Sequence, residues 1–129
     1  MALTLLVTGG TRSGKSNFAE ERVRDFGQHL GKRLVYIATA EAFDEEMAAR
    51  IARHQRRRGP EWHTVHAPLD LVRAVTQTDG KGPCVIDCLT LWLSNLMLAG
   101  QDTEVAADAL VASLASRADP VILVTNEVG

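Results

Sequence analysis

Gly9-Gly10-Thr11-Arg12-Ser13-Gly14-Lys15-Ser16 fits the pattern G-x-x-x-x-G-K-[ST] at every fixed position. Its flanks are the ones that pattern requires. Leu3 to Thr8 is a short apolar run closed by Gly9-Gly10, which reads as a buried strand. From Lys15 to His29 the spacing turns helical, with Phe18, Arg22 and Phe26 at four-residue steps and Gly31 as a stop. A glycine-rich turn between a strand and a helix lets backbone N–H groups point inward around phosphate oxygens. The helix start adds the positive end of its dipole. Gly9, Gly10, Thr11, Arg12, Ser13 and Gly14 are therefore expected to cradle a nucleotide, with Lys15 reaching the β- and γ-phosphates and the Ser16 hydroxyl on Mg²⁺.

The rest of the chain continues that alternation. Arg33 to Ala38 reads as a second strand, and Asp44 to Arg57 as a helix with Met47 and Ile51 on one face, stopped by Gly59-Pro60. Trp62 to His66 is a short strand or an extended connection, and Asp70 to Thr76 a helix. Cys84-Val-Ile-Asp87 is an apolar strand, Leu89–Leu98 and Glu104–Ala115 are helices, and Val121–Thr125 is the last strand. Apolar strands alternating with helices predict an α/β fold of the P-loop NTPase type, a mainly parallel sheet with helices on both faces. A length of 129 residues predicts a single nucleotide-binding domain over 1–129.

Composition narrows the function classes. Apolar residues make up 46% and charged residues 23%, values that exclude a disordered tail or a fibre. Fourteen basic against sixteen acidic residues give no global field for gripping nucleic acid. No apolar run is long enough to span a membrane, and no signal peptide is evident at the start. Cys84 and Cys88 are too few for a disulfide framework and read as reduced core thiols, which points to the cytoplasm.

Two further features carry chemistry. Asp87 closes an apolar strand, where an acid can hold Mg²⁺ beside the phosphates; it could equally cap the helix that follows. The 44–58 segment presents His54 amid Arg50, Arg53, Arg56, Arg57 and Arg58. A neutral imidazole is a competent nucleophile at phosphorus, and nearby guanidinium groups disfavour its protonation. Spacing alone also allows a solvated arginine face with a half-buried histidine.

The phosphate loop, Tyr36-Ile-Ala-Thr39, Asp44 to Ile51 with His54, Trp62, Asp87 to Asn95, and Val124 to Gly129 occur in an order that resembles the bifunctional adenosylcobinamide kinase/adenosylcobinamide-phosphate guanylyltransferase family of cobalamin biosynthesis. The resemblance implies two reactions. A nucleoside triphosphate phosphorylates adenosylcobinamide; GTP then guanylylates a histidine, and the GMP passes to the new phosphate to give adenosyl-GDP-cobinamide. His54 falls at the family's histidine. Ala38, Thr39 and Ala40, Gln55, Arg56, Arg57 and Arg58, and Asp87 fall at nucleotide-contacting positions. ATP and GTP are the implied substrates, with Mg²⁺.

His66 stands where the family often has an acid, so an imidazole replaces a carboxylate acceptor in a nucleotide contact. Members of the family also continue beyond Thr125-Asn-Glu-Val-Gly129 and assemble as homotrimers. The C-terminal part of the family fold is thus expected to be absent here, and trimer formation to depend on it. A monofunctional P-loop kinase and a non-catalytic nucleotide-binding module are the alternatives that the phosphate loop alone leaves open.

Overall fold

The computed structural model describes residues 3–9 and 15–126. Short β-rich apolar runs become five strands: β1 (Thr4–Gly9), β2 (Leu34–Ala38), β3 (Trp62–His66), β4 (Cys84–Asp87) and β5 (Val121–Asn126). Between them lie α1 (Lys15–Leu30), α2 (Glu45–Arg58), α3 (Leu71–Gln77), α4 (Leu89–Leu98) and α5 (Thr103–Ser116). Each sequence-predicted element is present, with ends that coincide or differ by one residue, as fraying and capping produce. The segment at Trp62, left between strand and connection by its sequence, pairs in parallel with β2 from Leu34↔Trp62 to Ala38↔His66.

All the ladders are parallel, in the order β1-β5-β4-β2-β3. The two sheet faces explain the unbroken apolar runs of the inner strands. Val35, Ile37, Cys84, Ile86, Val121 and Leu123 pack with Leu71, Val75, Trp92, Leu96 and Leu110 of α3, α4 and α5. Tyr36, Ala38, Val85, Ile122 and Val124 pack with Ala19 and Val23 of α1 on the opposite face. Helices therefore cover both faces, as the sequence predicts.

Local chemistry sets the ends of these elements. The Asp44 carboxylate caps α2 by accepting the Met47 N–H at 2.7 Å, and Gly59 leaves the helix at φ +89°. At the amino end of the sheet, Arg117 and Asp119 tie the turn after α3 to the turn before β5. The buried Arg117 guanidinium donates to the carbonyls of Val75 at 2.5 Å and Gly82 at 3.0 Å, and to Thr78 Oγ1 at 2.9 Å. Asp119 accepts from Lys32 Nζ at 2.7 Å and from the N–H groups of Gly80 and Gly82 at 2.9 and 3.1 Å. Gly82 has φ +153°, and a Cβ there would stand 1.7 Å from the Arg33 carbonyl oxygen, so only glycine fits. Both cysteines are buried thiols outside any disulfide; burial pushes the Cys84 thiol up to about 12, consistent with an inert core residue.

Candidate functional site

In a parallel sheet every strand ends on the same side, and ligands gather there. Gly9, Ala38, His66, Asp87 and Asn126 close the five strands on that side. Gly10 to Gly14 and the side chains of Lys15 and Ser16 lie outside the described residues. The backbone of Lys15 and Ser16 opens α1, as the phosphate-loop reading requires. β4 is two strands from β1, so Asp87 lies laterally about 10 Å from the strand that enters the loop. His66, on β3, is four strands away, about 19 Å. His66 is exposed at the far edge, beside Ala38 in register.

Asp87 is held from several sides. The Tyr36 hydroxyl donates to its Oδ2. Its carbonyl accepts the Thr39 N–H at 3.0 Å. The alternative role as a helix cap falls to its neighbour, since the Cys88 sulfur accepts the Leu91 N–H at the start of α4. Burial, and then the Asp87 carboxylate, push the Tyr36 phenol far above its ordinary range, so it stays a proton donor.

Glu20, one turn after Ser16 on α1, completes the acidic surroundings. Burial is the main cause that raises its pKa above the usual 4.5, and Asp87 adds to it, while Arg58, Arg24 and Arg57 oppose.

Thr39 and Asn95 brace this end of the sheet. Thr39 is fully buried; its hydroxyl accepts the Cys88 N–H and donates to the Cys88 carbonyl, each at 2.8 Å. Buried Asn95 donates to the carbonyls of Thr39 at 2.9 Å and Pro68 at 3.0 Å, and Trp92 Nε1 donates to Leu69 at 3.0 Å. The Asp87–Asn95 segment thus supplies one carboxylate toward the site and three ties that hold the loops around it. Ala38 is buried on β2 and Ala40 half-buried just beyond it.

Helix α2 carries the remaining expected residues. His54 is exposed, as are Arg50, Arg53, Gln55, Arg56 and Arg57, while Met47 and Ile51 are half-buried. Arg58 alone in this helix is buried. Its guanidinium lies 3.5 Å from the centre of the Tyr36 ring and donates to Thr64 Oγ1 at 3.3 Å. Tyr36 in turn meets Trp62 edge-on, with ring centres 5.9 Å apart, and Arg24 of α1 covers Trp62 at 5.6 Å.

Beside this seat an open cleft of about 630 Å³ is lined by Ala52, Gln55, Arg56, Gly59, Pro60, Trp62 and Thr64. Arg58 Nε and Trp62 Nε1 are buried donors with no acceptor among the described residues.

Two groups here escape a reading of the sequence. Tyr36 begins a stretch that entered the family resemblance without a role of its own, Glu20 belongs to no motif, and only the fold brings them to Asp87 and Arg58. The structure does unite Asp87, Arg58 and the end of α2; His54 and Gln55 to Arg57 line the solvent side of the same helix, and His66 stands apart.

Comparison with known proteins bears on the same stretches. A family model described as cobinamide kinase / cobinamide phosphate guanyltransferase matches residues 5–129. The bifunctional adenosylcobalamin biosynthesis protein CobP of Pseudomonas aeruginosa is 42% identical over 127 residues, covering 96% of this chain and 71% of that protein. Its counterpart CobU from Escherichia coli K12 is 36% identical over 143 aligned positions, covering 98% and 76%. Among solved structures, a KaiC-like protein from Pyrococcus horikoshii matches with a TM-score of 0.53 at 18% identity; the match covers 97% of this chain and 61% of that one, and it bears on the fold alone. A loop motif shared by many nucleotide-binding proteins would not single out one family, but a match running from β1 through the arginine helix to the last residue does: the chain belongs to the cobinamide kinase/cobinamide phosphate guanyltransferase family.

Proposed function

We propose that the chain phosphorylates adenosylcobinamide at the phosphate-loop end of the sheet and transfers GMP from GTP through a covalent adduct on His54. The observation that carries the second half is the setting of His54. It is solvent-exposed on a helix rich in exposed arginines, one turn before the arginine seated against Tyr36. In the transfer a ring nitrogen of His54 attacks the α-phosphorus of GTP. The P–N bond forms, the α–β phosphoanhydride bond breaks and pyrophosphate leaves. A phosphate oxygen of the corrinoid substrate then displaces the imidazole, which regains its neutral form. The guanidinium groups of Arg53, Arg56 and Arg57 balance phosphate charge during both steps. The cleft beside Gln55 and Trp62, with its two donors lacking acceptors, suits an acceptor-rich group of the nucleotide.

Gly9 to Ser16 would hold the phosphates, and Ala38, Thr39, Ala40 and His66 would border the nucleotide along the strand ends. Among the described residues no group of three or more His, Cys, Asp or Glu could hold a metal. Mg²⁺ takes one or two protein ligands and completes its shell with phosphate and water. Ser16 and Asp87 would be those ligands, and the ion would neutralise charge developing on the phosphates. Among the described residues no helix is long and apolar enough to cross a membrane. A cytoplasmic, single-domain and homotrimeric enzyme completes the proposal.

The test is intact mass after incubation with GTP and Mg²⁺, followed by peptide mapping. The expected result is one acid-labile GMP on the peptide holding His54, and none in His54→Ala. Undiminished GMP transfer by that variant would exclude the covalent role and leave a plain kinase.

A further inference from the structure

Five exposed residues in a row, Arg53 to Arg57, precede one buried arginine, and that contrast bears on how α2 is attached. Along α2 only Met47, Ile51 and Ala52 are half-buried, so the helix touches the sheet lightly until its last residue. There Arg58 reaches over the Tyr36 ring at 3.5 Å. The same ring carries, at its far end, the hydroxyl that donates to Asp87. One phenol thus has a cation on its face and an anion at its tip.

Resting on the function proposed above, we infer that Tyr36 is a positioning residue joining the two arms of the site: its hydroxyl orients the Asp87 carboxylate for phosphoryl transfer, and its ring seats Arg58 and thereby the helix that presents His54. A core aromatic that only filled space beside Ala19, Val23 and Trp62 would need neither contact. Phenylalanine would serve there equally well. Here the side chain touches both the strand-end acid and the arginine helix.

The experiment uses the full chain with two substitutions. Tyr36→Phe keeps the ring under Arg58 and deletes the bond to Asp87; Tyr36→Leu removes both. In Tyr36→Phe, kcat for phosphoryl transfer falls about tenfold or more with little change in nucleotide KM, and the rate of GMP loading on His54 falls far less. In Tyr36→Leu both rates fall by about that factor.

A readout independent of activity comes from composition, because Tyr36 is the chain's single tyrosine. Labelling with 3-fluorotyrosine gives one ¹⁹F resonance, which shifts in Asp87→Asn and again in Arg58→Lys. Wild-type rates of phosphoryl transfer in Tyr36→Phe, an equal loss of both rates in that variant, or a resonance indifferent to either partner would each overturn the inference. Should the wild-type chain form no GMP adduct and transfer no phosphoryl group, the proposed function fails and takes this role with it. If Tyr36→Leu does not fold, Tyr36→Phe and the ¹⁹F shifts still decide.

Discussion

Replacing Asp119 by Asn removes a charge from the amino end of the sheet without changing side-chain size, and the structure sets the scale of the loss. The Asp119 side chain is 4% exposed and accepts three hydrogen bonds, from Lys32 Nζ, Gly80 N–H and Gly82 N–H. Lys32 is 38% exposed, so water and salt screen its half of the pair, which contributes about 0.5–1 kcal/mol. Of the two backbone donors Gly82 is buried and Gly80 exposed, and the charged acceptor makes each bond worth about 1–1.5 kcal/mol.

An amide keeps one acceptor oxygen but turns an N–H toward a donor. We therefore expect Asp119→Asn to lose about 2–4 kcal/mol, a fall in Tm of about 6–16 °C for a chain of this size. Urea unfolding followed by tryptophan fluorescence measures it.

The pH dependence is the sharper part of that prediction. Burial alone would raise the Asp119 pKa, but the Lys32 bond and charge, the Gly80 N–H and Arg117 outweigh it and hold the carboxyl below its ordinary 3.8. A depressed pKa contributes stability that is fully present above the unfolded value and is lost as pH falls through the folded one. The gap between wild type and Asp119→Asn stays constant from neutrality to about pH 4 and closes below it, as the native carboxyl itself protonates. A gap that persists unchanged into strong acid, or one below about 1 kcal/mol at pH 7, refutes the assignment of that stability to the carboxylate charge.

Two other predictions concern single positions. Gly82→Ala places a methyl where the Arg33 carbonyl oxygen stands 1.7 Å away, at φ +153°; a loss of about 3 kcal/mol or more in denaturant melts is expected. Glu20 has a raised pKa, so its ionised form disfavours the folded state and stability drops as pH rises through that pKa. Glu20→Gln is expected to be more stable than wild type at neutral pH and equal to it below about pH 4, measured by paired thermal melts across pH.

The elements of this fold were legible because their signals are local. Apolar runs bounded by glycine gave the strands, and four-residue spacing gave α1 and α2. The phosphate-loop pattern and the place of Asp87 at the end of β4 are local signals of the same kind. Other features depend on partners far apart in the chain. Arg58 read as one arginine among five, because nothing near it in sequence announces a ring 22 positions earlier, at Tyr36. The family resemblance implies a nucleotide contact for Thr39, and its hydroxyl is engaged with Cys88, just past the neighbouring strand β4. Arg117 and Asp119 carried no motif, and only the packing of two turns reveals what they hold.

The strand order has a consequence in time as well as in space. Among the described residues β1 forms its ladder with β5 alone, Thr4 opposite Val121, 117 positions further along the chain. The strand that leads into the phosphate loop is made first, but its neighbour in the sheet is made after more than a hundred further residues. Closing so large a span costs conformational entropy before any pairing offsets it. β1 thus gains this ladder only once β5 has emerged from the ribosome and docked. A nascent chain stalled before Val121 leaves β1 without the β5 ladder, so this edge of the sheet is completed as a late event in biogenesis.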